Sequence, residues 1–157
     1  MPKIHLTTFI KAPAERVFDL SRNISLYKKA LQNRKEKISS GAASNLVSSG
    51  ETVTIHARHF GKTRMITARI IEVNKPLTLV EEQVKGDLKA FRHERHFKEI
   101  DNGTIMIDMV EFEGPRDMIG SIFSSFFLKT YFEKIFQQRN ELIRQYAESD
   151  KWRAVMN

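Results

Sequence analysis

The stretch LTLVEEQVKGDLKAFRHERHFKEIDNGTIMIDMVEF, from Leu77 to Phe112, decides the fold. It reads as three strands, Leu77 to Val84, Leu88 to Ile100 and Thr104 to Phe112, separated by Lys85-Gly86-Asp87 and Asp101-Asn102-Gly103. Separators this short close hairpins and exclude the long crossovers that parallel strands require. The same pattern extends upstream through Thr52 to Phe60 and Thr63 to Val73, with Gly61-Lys62 and Asn74-Lys75-Pro76 as breaks. A short strand at Lys35 to Ser39 and one at Lys3 to Ile10 complete an antiparallel sheet of about seven strands. Ser39 to Gly50, rich in Ser, Gly, Ala and Asn, reads as a loop. Gly114-Pro115 ends the series.

Outside the sheet the apolar period changes. Pro13 suits the first turn of a helix, with Glu15 at the dipole-favourable end. Val17, Phe18, Leu20, Ile24, Tyr27 and Leu31 then continue at helical spacing to about Gln32, as one helix or as two with a break near Asn23. From Asp117, an N-cap candidate, to about Ser149 the recurrence of Ile119, Ile122, Phe123, Phe126, Phe127, Thr130, Tyr131, Ile135, Leu142 and Tyr146 predicts one long amphipathic helix. Arg139 and Arg144 are read as cations near its C-terminal end.

Seven strands at about 4.8 Å spacing span roughly 30 Å, whereas a helix with its side chains is about 10 Å across. The sheet must therefore curl around the helix. Whatever the helix leaves uncovered is either filled by large side chains, and the chain has 11 Phe, or left as a pocket.

Alternation along strands selects the inward set. Phe91 and Phe97 carry His93 and Arg95 with them, and Leu77 and Leu79 carry Glu81 and Gln83. Met106, Val110 and Phe112 carry Asp108, although Ile105, Ile107 and Met109 make the opposite face nearly as apolar. A polar set of Glu81, Gln83, His93, Arg95 and Asp108 is thus expected inside an apolar shell, where charges must be paired. Two accounts of it stand side by side: a structural ion pair of Arg95 with Asp108 or Glu81, His93 alongside, or the polar anchor of a ligand site. The expected ligand-lining residues are Leu79, Glu81, Gln83, Phe91, His93, Arg95, Phe97, Met106, Asp108, Val110 and Phe112 from the strands. The last helix adds Ile122, Phe123, Phe126 and Thr130.

The composition sets limits. The chain has 157 residues, 41% of them hydrophobic, which fits a single domain over residues 1–157 with an ordered core at about 3–149. It has no Cys, which excludes disulfides, thiol nucleophiles and thiolate metal sites. Met1-Pro2-Lys3-Ile4-His5 shows no signal-peptide pattern, and the most apolar stretch, Ile119 to Leu128, falls short of the about 20 residues that span a bilayer. A cytoplasmic protein is expected. The net charge of +7 is concentrated at Lys28, Lys29, Arg34, Lys35 and Lys37. No aromatic alternates with these cations as base stacking requires, so no nucleic-acid partner is expected. The cluster reads as a solvated basic face, with peripheral contact to an anionic membrane or partner as the alternative.

The strings GETVTIHARHFG (Gly50 to Gly61), EEQVKGDLKAFRHERHF (Glu81 to Phe97) and GTIMIDMVEF (Gly103 to Phe112) resemble the START-like, or SRPBCC (Bet v 1-like), superfamily. Ile135-Phe136 followed by Arg139 and Leu142 is similar to its final helix. The branch most resembled is that of small bacterial cyclase/dehydrase-like or cell-division-inhibitor-like proteins, over nearly the whole chain from Ala12-Pro13 to about Tyr146. The resemblance implies an α+β helix-grip fold, a curved antiparallel sheet around a long C-terminal helix, enclosing a cavity for hydrophobic molecules. Similar sequences carry an aromatic, His-x-His and Phe where this chain reads Phe91, His93, Arg95 and Phe97, and Asp-x-Val-x-Tyr where it reads Asp108, Val110 and Phe112. Arg95 replaces the second His and Phe112 lacks the hydroxyl, and both departures weaken an inherited proton-transfer or metal role.

His56/His59 and His93/His96 are spaced i, i+3, which sends the two rings to opposite faces of a strand and argues against a metal at either pair. No GxSxG and no phosphate-binding Gly loop occur, and no cofactor is expected. Binding or carriage of a small hydrophobic ligand is the leading expectation. The enzymatic alternative is a cyclase or dehydratase in which His93, with Asp108 or Glu81, moves protons.

Overall fold

The structure is a computed structural model that describes residues 2–32, 37–40, 44–115 and 125–156. The strands are β1 (Lys3–Ile10), β2 (Lys37–Ser40), β3 (Thr52–His59), β4 (Lys62–Asn74), β5 (Thr78–Gly86), β6 (Leu88–Ile100) and β7 (Gly103–Pro115). The helices are α1 (Ala14–Ser21), α2 (Ile24–Gln32), α3 (Ser125–Ala147) and α4 (Trp152–Val155). All seven described strands form one antiparallel sheet in the order β1-β7-β6-β5-β4-β3-β2. It is a hairpin meander from β2 to β7 with β1 added beside β7. Helices α1 and α2 carry the chain from one sheet edge to the other.

The long hairpin of β6 and β7 runs in unbroken register from Phe91↔Phe112 to Ile100↔Gly103, and Arg95 lies opposite Asp108. Between β4 and β5 the register shifts at Thr67/Ala68 and again at Ile70/Glu72. Such irregularities bend a strand and increase its twist, which lets the sheet curl around α3.

Local chemistry sets the helix boundaries. Pro13 is the N-cap of α1, one residue before the helical turn expected for it, and its carbonyl accepts the Val17 N–H at 3.1 Å. The N-terminal helical segment is two helices. Asn23 makes the break, its Oδ1 accepting the Leu26 N–H at 2.9 Å while its Nδ2 donates to the Val155 carbonyl at 2.9 Å. Buried Val155 and this bond extend the packed structure past residue 149, into α4, which sequence periodicity does not signal.

Three apolar clusters form the core, and α3 contributes to two of them. One joins Phe18, Phe97, Met106 and Ile143, a second Ile4, Val110, Phe112, Leu128 and Phe136, and the third Ile24, Val47, Val53 and Ile70. The described part of α3 therefore turns the stripe Leu128, Phe136, Asn140, Ile143 and Ala147 inward. This differs from the expected stripe. Phe126 is 78% exposed and Thr130 is exposed, its hydroxyl donating to the Phe126 carbonyl at 3.0 Å. Aromatic residues on both sides of this helix made its apolar phase ambiguous. Asp117, Ile119, Ile122 and Phe123 lie outside the described residues, as do Arg34 and Lys35.

Two strand boundaries also move. Leu77 precedes β5, is 55% exposed, and donates its N–H to the Asn74 carbonyl at 2.7 Å in a turn, so it does not share the inner face. Phe60 belongs to the β3–β4 turn, with a φ of 56° next to Gly61 at 76°. These left-handed conformations suit the right-handed twist of a two-residue hairpin turn.

Gly103 opens β7 where β1 crosses closest, and a Cβ there would stand 2.4 Å from the Ile10 carbonyl oxygen. Backbone cannot yield as a side chain does, so Gly103→Ala is expected to lower the unfolding free energy by about 1–3 kcal/mol. A urea titration that leaves stability unchanged would contradict this close approach.

Candidate functional site

Strands β5, β6 and β7 deliver Glu81, His93, Arg95 and Asp108 to the concave face, and α3 lays Asn140 across them. Arg95 is 1% exposed and Asp108 is fully buried. Arg95 Nε donates to Asp108 Oδ1 at 2.5 Å, and its Nη2 donates to Asn140 Oδ1 at 2.9 Å. Asn140 Nδ2 donates in turn to Asp108 Oδ2 at 2.7 Å. His93 bridges the two carboxylates, with Nε2 2.6 Å from Asp108 Oδ1 and Nδ1 3.0 Å from Glu81 Oε1.

The electrostatics follow from these contacts. Burial pushes the Asp108 carboxyl up, but the charge of Arg95 and the hydrogen bond from His93 outweigh it and hold the group far below the usual carboxylate range. Burial likewise pushes Glu81 up, and the hydrogen bond and charge of His93, with Arg139 and Arg95 adding, bring it below its ordinary value. Two ionised carboxylates can only accept. His93 therefore stands with each ring nitrogen facing a hydrogen-bond acceptor.

Beside this network lies a cavity of about 130 Å³ between the sheet and helices α2 and α3. By comparison, a cavity of about 150 Å³ in another protein holds one benzene ring. Its apolar walls include Ile55, Ala57 and Ala68 from β3 and β4, Leu79 and Phe91 from β5 and β6, and Phe132, Ile135 and Phe136 from α3. Glu81, His93 and Arg95 form a polar side, with Tyr27 and Arg139 also on the wall. His59 lines it too, its Nδ1 2.5 Å from the Tyr131 hydroxyl.

Of the residues expected to line such a space, Leu79, Glu81, Phe91, His93, Arg95, Val110 and Phe112 do so. Asp108 stands behind His93 and Arg95 as their counter-ion. Phe97 and Met106 are instead core residues: Phe97 packs on Phe18 with ring centroids 5.0 Å apart, and Met106 is fully buried. Gln83 sits beside a register irregularity whose extra residue, Val84, lies in β5, and its Nε2 donates to the Leu88 carbonyl at 2.9 Å across the β5–β6 hairpin. Phe126 and Thr130 point outward.

Sequence reading missed Asn140, Arg139 and Phe132. Asn140 had a signal, because a mid-helix Asn is unfavourable and needs a reason. Arg139 is not in the last turn of α3, where Arg144 lies; its guanidinium stacks 4.0 Å from the Tyr27 ring centroid. On β6, His93 is buried while the His96 side chain is 40% exposed on the other face, as alternation requires.

Two predictions concern the network. Asp108→Asn leaves the Arg95 charge without its counter-ion and is expected to lower stability by about 3–5 kcal/mol, whereas Arg95→Met with Asp108→Leu should lose less. Denaturant titrations of both test this, and an equal loss would contradict a buried ion pair. With both carboxyls depressed in the folded chain, the unfolded chain takes up protons first as pH falls. Stability is then full above the ordinary carboxylate pKa of about 4 and declines below it. The double variant should show a shallower acid decline between pH about 5 and 2 than the parent chain.

No family model and no curated protein matches this sequence. Solved structures match it across nearly their full length. The Thermus thermophilus protein TTHA0849 is 18% identical with a TM-score of 0.74, over 94% of this chain and 100% of that one. A START superfamily protein from Mycobacterium smegmatis is 10% identical with a TM-score of 0.70, over 93% and 97%. Major latex-like protein 151 of Panax ginseng is 10% identical with a TM-score of 0.68, over 94% and 97%. The shared order of a seven-stranded curved sheet and a long C-terminal helix shows that this chain has the α+β helix-grip fold of START-like and Bet v 1-like proteins.

Proposed function

We propose that this protein binds or carries a small hydrophobic ligand in the space between the sheet and α3. The observation that supports the reading is the cavity itself, apolar on most walls with a few convergent polar groups on one side, as small-molecule sites usually are. Helix-grip relatives in structure support a ligand-binding fold in general. Glu81, His93 and Arg95 would orient the ligand, and Leu79, Phe91, Val110 and Phe112 would contact its apolar body.

The enzymatic alternative finds less support. A general base needs a free lone pair, and both His93 nitrogens are engaged by carboxylates. The basic-face alternative rests on Lys28, Lys29 and Lys37, which are exposed. No helix of the described residues is long and apolar enough to cross a membrane.

Ala68 is a small residue on the cavity wall, so Ala68→Phe is expected to fill the space and preserve the fold. Uptake of N-phenyl-1-naphthylamine, followed by its fluorescence, should weaken by about tenfold or more in this variant. Equal uptake by both proteins, or none by the parent chain, would overturn the reading.

A further inference from the structure

The cations around the cavity differ in their partners. Arg22 is held by Asp19 at 3.0 Å, Arg95 by Asp108, and His93 by Glu81 and Asp108. Arg139 is different. Its guanidinium lies 4.0 Å from the Tyr27 ring centroid and 5.4 Å from that of Phe136, on the cavity wall. Among the described residues it has neither a hydrogen bond nor an ion pair. Glu81 is close enough to feel its charge, but the Glu81 Oε1 is committed to His93.

Arg139 is thus a cation beside an apolar space with no hydrogen-bonded or ion-paired counter-charge of its own among the described residues. Stacking on aromatic rings engages the faces of a guanidinium and leaves its edge, where the N–H donors lie. That edge matches a carboxylate in two-point geometry. An ammonium in the same place would be fully hydrated, whereas a guanidinium sheds water readily.

We propose that the ligand is a monocarboxylic acid with an apolar body, its carboxylate held by Arg139 and its body in the cavity. This rests on the reading that the cavity takes an apolar ligand. It ranks a neutral isostere well below the acid.

A matched pair of probes tests it: 3-phenylpropanoate and 3-phenylpropan-1-ol share a skeleton and differ in charge. Titration calorimetry at neutral pH should show the acid bound about tenfold or more tightly than the alcohol. Arg139→Gln should abolish that preference while leaving the affinity for the alcohol within about twofold, which also reports an intact cavity. Lys29→Gln, on the exposed side of α2, should behave as the parent chain. Equal affinities for acid and alcohol, or a preference that survives Arg139→Gln, would overturn the carboxylate assignment and leave the cavity as an apolar site. Binding of neither compound would overturn the ligand-binding reading and the assignment with it.

Discussion

A guanidinium withdrawn from water within a protein loses several kcal/mol of solvation, and only close counter-charges with well-aimed hydrogen bonds offset this. Arg95 is in that position, and three parts of the fold must be correct at once to satisfy it. The β6–β7 register must set it opposite Asp108, the curl of the sheet must exclude water, and α3 must present Asn140 rather than a neighbour. Slipping the hairpin by two residues would set Arg95 against Met106 or Val110. Rotating α3 by one residue would replace Asn140 with Arg139 or Glu141. The network therefore penalises alternative packings that the apolar clusters alone would tolerate.

The same network has two sides. Asp108 and Asn140 look toward the packed core, and Glu81 and His93 look toward the cavity. His93 joins the two, so the polar side of the space is held by groups whose orientation is set from behind, as preorganised sites require. The space itself exists where wall residues are small. Ala57 and Ala68 occupy β3 and β4 at positions where larger residues would close it, while Phe91, Phe112, Phe132 and Phe136 line it and Phe18 and Phe97 pack in the core.

How much of this was legible in the sequence depends on the range of the interaction that decides it. Alternation along a strand is local, and it set Phe91, His93 and Arg95 on one face together. Asp108 was harder because Ile105, Ile107 and Met109 offered a rival face; β1 pairing alone covers one edge of β7, and that rival face stays partly solvent-exposed. Gln83 was misplaced because the extra residue that shifts the register beside it, Val84, leaves no mark on the apparent alternation of β5. Asn140 and Arg139 needed the rotational phase of α3, and a helix with aromatics on several sides does not reveal it. Phe126 and Phe127 strengthened the apolar signal of a face that is solvent-exposed here.

The pairing of β1 with β7 joins the first strand of the sheet to its last, Lys3 opposite Glu111 and Ile10 opposite Thr104. A ribosome adding about 5–20 residues per second delivers β1 roughly 5–20 s before its partner has been made. During that interval a strand bearing Ile4, Leu6, Phe9 and Ile10 has no native edge to join. Helices α1 and α2 emerge next, and Phe18 and Leu26 belong to the same cluster as Ile10, so they offer it apolar cover. The native sheet, by contrast, closes only when the last strand arrives, which makes the completion of folding a late event in synthesis.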